Sequence, residues 1–192
     1  MTEQVELAGR VSAGRLTAAD MHGILLDVPF EISDGKLEIM TPPSIWHQAT
    51  ARRIENLLEK RYPAAVSDVT TAIGDHGRRP DVVALHLPLE QIIRERISAA
   101  TPDMIEVVVE VISHDRADKA NDAVSVRRDR EIKFHEYAAA GIPEYWIVDE
   151  VADDAMDASV EVYHLRGGTY VPAVVVRLSD VLSGVVEIPG RP

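Results

Sequence analysis

The stretch from Met104 to Ile112 is a nearly unbroken run of β-branched apolar residues, the pattern of a central strand covered on both faces. Two acids interrupt it, Glu106 and Glu110, and because they are four positions apart a regular strand points both to one side. A carboxylate in such a setting is costly unless something cationic meets it. The pattern repeats upstream, where Arg79-Pro80-Asp81 leads into Val82-Val83-Ala84-Leu85, with proline tolerated at the start of a strand and Asp81 at its entrance. Acids on neighbouring strands are a natural site for a hard divalent cation such as Mg²⁺, which prefers carboxylate and carbonyl oxygens and keeps several waters. Asp81 and Glu110 are the best pair, and the backbone carbonyl of Ile112 is placed to complete the shell. The chain has no cysteine, so disulfides, thiolate ligands and a cysteine nucleophile are excluded.

The rest of the chain frames this pair. Thr17 predicts an N-cap for a short helix reaching Leu26, stopped by Pro29. Phe30 to Ser33 and Lys36 to Met40 alternate around Asp34-Gly35, a strong two-residue hairpin signal. Beyond Thr41-Pro42-Pro43-Ser44, apolar residues at Ile45, Ala49, Ile54, Leu57 and Leu58 predict a helix from Ile45 to Tyr62. Val66 to Ile73 and Pro80 to Leu87 read as strands, and Pro88 to Ala100 as a short helix or partly ordered excursion. His114 to Val126 is polar without a clear period and reads as an exposed loop. Arg127 to Ala140 is helical and ends at Gly141 with Pro143 beyond. On that helix Asp129 and Lys133 share a face, with Tyr137 one turn further. Spacing alone fits either a surface ion pair or a lysine directed at a metal-bound water. Glu144 to Asp149 is a strand, and after an acidic linker Ser159 to Leu165 and Thr169 to Arg177 form a hairpin. This order implies an α/β core with a mixed sheet.

The length and the 46% hydrophobic content fit a single domain over residues 1–192, with 1–16 as a flexible N-terminal arm. No apolar run approaches the roughly 18 residues needed to span a bilayer, and no leader pattern opens the chain, so a cytoplasmic protein with no membrane partner is expected. The net charge of −12 argues against a broad nucleic-acid-binding face. Locally, arginines cluster at Arg52-Arg53, Arg78-Arg79, Arg94 with Arg96, and Arg127-Arg128 with Arg130, each of which composition alone reads as solvated surface charge.

Pro80-Asp81 followed by Glu110 in an apolar strand resembles the PD-(D/E)XK nuclease signature. The run Phe30 to Leu37, Pro42-Pro43-Ser44 with His47-Gln48, Arg79 to Val83, Val109 to Ser113 and Tyr137 to Asp149 together resemble the Uma-two family of restriction-endonuclease-like proteins. The resemblance implies a restriction-endonuclease-like mixed β-sheet flanked by helices, with N-terminal and C-terminal β-hairpins. It also implies a Mg²⁺-dependent nuclease site, with Mn²⁺ as substitute and no organic cofactor, in which Asp81 and Glu110 match the metal acids. The position two residues after the glutamate, usually lysine, is Ile112, and the family's helix lysine places that role on Lys133. Glu31 matches an acid approaching the same metal. His47 matches a histidine opening the long helix, where a structural hydrogen bond is the equally simple reading. Glu38 and Glu106 read as ordinary strand acids.

The expected chemistry is hydrolysis of a DNA phosphodiester by water, with a homodimer expected because two-fold dimers are the commonest soluble assembly. Two rival readings stand beside it. One is a nuclease-fold protein that binds nucleic acid or regulates without efficient turnover; the other is a metal-dependent hydrolase of a smaller phosphorylated substrate.

Overall fold

The computed structural model describes residues 2–112, 114 and 118–190, with backbone only for 2–5 and 121. The strands form two sheets. The first comprises β1 (Phe30–Ser33), β2 (Lys36–Ile39), β4 (Thr71–Ile73) and β5 (His76–Arg78) in the order β2-β1-β5-β4, all antiparallel. The second comprises β3 (Ala64–Ser67), β6 (Val82–Leu85), β7 (Ile105–Val111), β8 (Glu144–Val151), β9 (Asp154–Arg166) and β10 (Thr169–Arg177) in the order β10-β9-β8-β7-β6-β3. Among the described residues of this sheet only β7 and β8 pair in parallel, so it is mixed, as the element order predicts. Helix α2 (Ile45–Leu58) and α6 (Leu178–Leu182) cover one face, and α5 (Lys133–Ala139) covers the other.

The Asp34-Gly35 hairpin forms as expected, both residues having positive φ. A side chain at Gly35 would collide with the backbone of Gly14, so its place is fixed twice over. The predicted strand from Val66 to Ile73 is divided instead. Asp68 turns left-handed at φ 54° and takes the chain out of the large sheet into the small one. The acidic stretch 149–157 is no linker: it belongs to the paired ends of β8 and β9 and the tight turn between them.

Two surface helices escape sequence periodicity. Helix α4 (Lys119–Arg127) lies in the stretch read as a loop; its described side chains are exposed or half-buried, so no apolar stripe marks it among them, and residues 115–117 of that stretch lie outside the described residues. Helix α1 (Thr2–Ala13) occupies most of the segment read as an arm; Arg10 pairs with Asp20, and Leu16 just beyond it is buried. A short α3 (Leu89–Glu95) lies between β6 and β7. Among the described residues no helix is long and apolar enough to cross a membrane.

Strand alternation aims the site. In β7, Val107, Val109 and Val111 pack with Ile54 and Leu58 of α2, while Val108 and Ile112 pack with Tyr137 and Ala138 of α5. Glu110 therefore faces α5. The ladder to β6 skips Glu106, because Ala84 pairs with Val107 and Leu85 with Ile105, so the alternation from Glu110 does not carry to Glu106. Glu106 is half-buried where Glu110 is buried.

Candidate active site

Glu110 meets two side chains of the helix it faces. Tyr137 donates its hydroxyl to Glu110 Oε1 at 2.7 Å, and the Lys133 ammonium lies 3.1 Å from Oε2. Lys133 also lies 3.0 Å from Glu31 Oε1 and 3.3 Å from Asp129 Oδ1, so one ammonium is shared by three carboxylates. All four groups are buried. The surface-pair reading of Asp129 and Lys133 is therefore incorrect, although their four-residue spacing is what brings them together.

The helix has an unusual shape here. Between α4 and α5, Arg128–Ile132 forms a π-helical turn in which the Lys133 amide donates to the Arg128 carbonyl, five residues back. The Tyr145 hydroxyl donates to the Asp129 carbonyl at 2.7 Å, tying this turn to β8. A wide turn held from the sheet side fixes the direction of Asp129 and Lys133.

Glu31, on β1, brings in the small sheet. Its Oε2 accepts from Arg78 Nη1 at 3.2 Å and its Oε1 from the Arg79 amide at 3.0 Å. Arg78 is fully buried, bonds Ser33, and grips Glu136 of α5 through two nitrogens at 2.8 and 2.6 Å. It is not the solvated charge its composition suggested. Ser33 and Glu31 sit two apart on one strand face, a signal from which a shared buried cation could have been inferred.

Asp81 hangs at the entrance of β6, where its Oδ2 accepts from the Val111 amide at 2.6 Å and lies 3.2 Å from His47 Nε2. That contact joins Asp81 directly to the strand carrying Glu110. His47 is on the inward face of α2 with Thr50, Ala51, Ile54 and Leu58, while Ile45 and Ala49, expected inward, are exposed. The Ser44 hydroxyl caps the helix by accepting from the His47 amide at 3.1 Å, so His47 makes the structural hydrogen bond while its imidazole lies beside Asp81.

Asp81, Glu110, Lys133, Glu31, His47 and Asp129 all line one pocket, together with Arg79, Arg128 and an apolar wall that includes Met40. Its volume of about 100 Å³ has room for several waters. Val111 lines the pocket; Ile112 is wholly buried in the α5-side core, and its amide donates to the Val148 carbonyl.

Burial and crowding set the proton affinities. Burial would lower the Lys133 ammonium, but Glu110, Glu31 and Asp129 hold it well above its usual value, so it stays charged. Glu31 would be raised by burial, yet Lys133 and Arg78 bring it down to about 2. Glu110 goes the other way: burial pushes it well above the carboxylate range, Lys133 opposes that, and Asp129, Asp81 and Glu31 add to it. For His47, burial works against protonation, but the contact with Asp81 prevails and raises it. The pocket is thus short of positive charge around Glu110.

Among the described residues no three His, Asp or Glu side chains converge tightly enough to cage a metal on their own. Two pocket carboxylates with room for water instead fit a hard cation that keeps much of its hydration shell.

A mixed six-stranded sheet between helices, with this acid–lysine cluster beside the neighbouring interior strands β6 and β7, defines a restriction-endonuclease-like fold. The fold of a crystal structure described as "a putative nuclease belonging to DUF820" from Anabaena variabilis ATCC 29413 superposes with a TM-score of 0.54 at 14% identity, covering 84% of this chain and 83% of that one. The model of the Uma2 family, described as "Putative restriction endonuclease", matches residues 21–191, and the chain belongs to that family. No curated protein matches it. Family and fold together support a nuclease.

Proposed function

We propose that the chain is a Mg²⁺-dependent endonuclease that hydrolyses phosphodiester bonds in DNA, with Mn²⁺ able to replace Mg²⁺. The observation carrying this reading is the convergence of Asp81, from the entrance of β6, and Glu110, from near the C-terminal end of β7, on a pocket that also holds the charged Lys133. Asp81 and Glu110 would hold the cation, with Glu31 and the backbone at 111–112 nearby. When bound, the cation would supply polarisation of a phosphate oxygen and acidify a water. Lys133, permanently charged between three acids, is an electrostatic group and not a base: it offsets negative charge as the phosphate is attacked. His47 positions Asp81 through their 3.2 Å contact.

The test is cleavage of a labelled DNA duplex and of a single strand by the full chain in Mg²⁺, in Mn²⁺ and in EDTA. Product is expected with either metal, none in EDTA, and none from Asp81→Asn or Glu110→Gln. Turnover in EDTA, or unchanged turnover by both variants, contradicts the proposal. The net charge of −12 favours a second reading, a nuclease-fold binding protein without turnover. It predicts metal-independent nucleic-acid binding and no product under any condition.

A further inference from the structure

The carboxylates occupy the depth of the pocket, yet a nucleic-acid backbone brings more negative charge to it. Two guanidinium groups line the same pocket from separate parts of the chain: Arg79, beside the entrance of β6, and Arg128, from the π-helical turn. Burial works against the Arg128 charge while Asp129, Glu31 and Glu110 favour it and draw it toward the acids, but unlike Arg78 neither guanidinium is fully enclosed. Arg128 uses Nη2 on the Ser125 hydroxyl at 3.0 Å and Nε on Asp129 at 3.5 Å, which leaves Nη1 with no hydrogen-bond partner among the described residues. Arg79 spends Nε and Nη2 on Asp68, at 3.0 and 2.8 Å, an acid whose side chain is 70% exposed. The pair is two-pronged, but Asp68 is open to water and can be rehydrated when it is displaced, so a phosphate that matches the same fork can compete for that guanidinium. Arginine's planar fork suits phosphate oxygens in pairs.

We infer that Arg79 and Arg128 form an anion subsite at the pocket that takes a backbone phosphodiester of the nucleic acid beside the acids. This rests on the nuclease reading above and adds the groups that hold the substrate. Their placement also reconciles an acidic protein with a polyanionic substrate: two guanidinium groups beside the acids offer local attraction that does not require a broad basic face.

The experiment is fluorescence anisotropy of a labelled single-stranded oligodeoxynucleotide binding to the full chain in EDTA, over a range of salt concentrations. Each phosphate neutralised contributes about −0.7 to the slope of log affinity against log salt for a single strand. Arg128→Gln and Arg79→Gln are each expected to weaken binding several-fold and to make the slope shallower, by at most about 0.7, the contribution of the one phosphate they share. Arg128→Lys, which keeps the charge, is expected to restore the slope. Arg79→Gln leaves behind an exposed Asp68 carboxylate and an Asp68 carbonyl that loses one 3.5 Å contact, and a thermal-unfolding profile matching wild type for either glutamine variant makes its slope readable even if the other destabilises the chain. Slopes equal to wild type in both glutamine variants overturn the subsite while leaving cleavage, and hence the nuclease reading, intact. Absence of both binding and cleavage in the unaltered protein overturns the nuclease reading itself.

Discussion

Replacing Lys133 with methionine removes a single ammonium and keeps most of the side chain's volume, and three buried carboxylates then lose a partner at 3.0 to 3.3 Å. Breaking a buried ion pair from one side costs about 3–5 kcal/mol, because the abandoned charge has no water to turn to. Arg78 still serves Glu31 and Arg128 still serves Asp129, so the loss falls hardest on Glu110, whose other contact is the Tyr137 hydroxyl. For a chain of this size each kcal/mol moves Tm by about 2–4 °C, which places the variant roughly 6–20 °C below wild type at pH 8. Glu110 already has a raised proton affinity from burial, and losing Lys133 raises it further. A carboxyl that is raised in the folded state penalises folding as pH climbs above its ordinary value of 4.5, so the deficit should shrink as pH falls from 8 toward 5. Thermal unfolding followed by circular dichroism at several pH values measures this directly. A variant within about 2 °C of wild type at pH 8 refutes the view of Lys133 as the shared counter-charge, since that gap corresponds to at most about 1 kcal/mol.

Other expectations follow from the same contacts. Tyr145→Phe leaves the Asp129 carbonyl without its buried donor, at a cost of about 1–3 kcal/mol. Faster amide exchange should then appear in the π-helical turn 128–132, and unchanged exchange there would remove the pinning role of Tyr145. Mn²⁺ affinity, measured by calorimetry, should fall as pH drops, because burial raises the proton affinity of Glu110 and proton and cation compete for the same carboxylate; pH-independent affinity would mean that Glu110 is not a ligand. Glu31, held at about 2, contributes stability that is present above pH 4.5 and lost between there and pH 2. Glu31→Gln should flatten the acid limb of the unfolding profile, and an unchanged limb would put the loss elsewhere.

What the sequence revealed divides along physical lines. The Asp34-Gly35 hairpin, the central strand and the Gly141 helix stop depend on local backbone preference, and all three form where expected. Asp81 and Glu110 were visible because an acid amid β-branched residues is conspicuous. The partners of Glu31 were not, because Arg78 becomes buried only when two sheets and α5 meet. Helix α4 was missed because a helix with no buried stripe leaves no period, and the π-helical turn because nothing in Arg128 to Ile132 marks one. The separation into two sheets hangs on Asp68 adopting a left-handed conformation, which one residue's identity does not announce. Lys133 shows the limit most clearly: spacing put it beside Asp129, but only the packing of α5 on β7 puts it against Glu110.

The claim on which the rest depends is that Asp81 and Glu110 hold one divalent cation. Crystals soaked in Mn²⁺ and measured for anomalous scattering test it directly. The account predicts a peak within coordinating distance of both carboxylates, in the pocket lined by Lys133 and Arg128. A peak elsewhere, or none at saturating Mn²⁺, would contradict it.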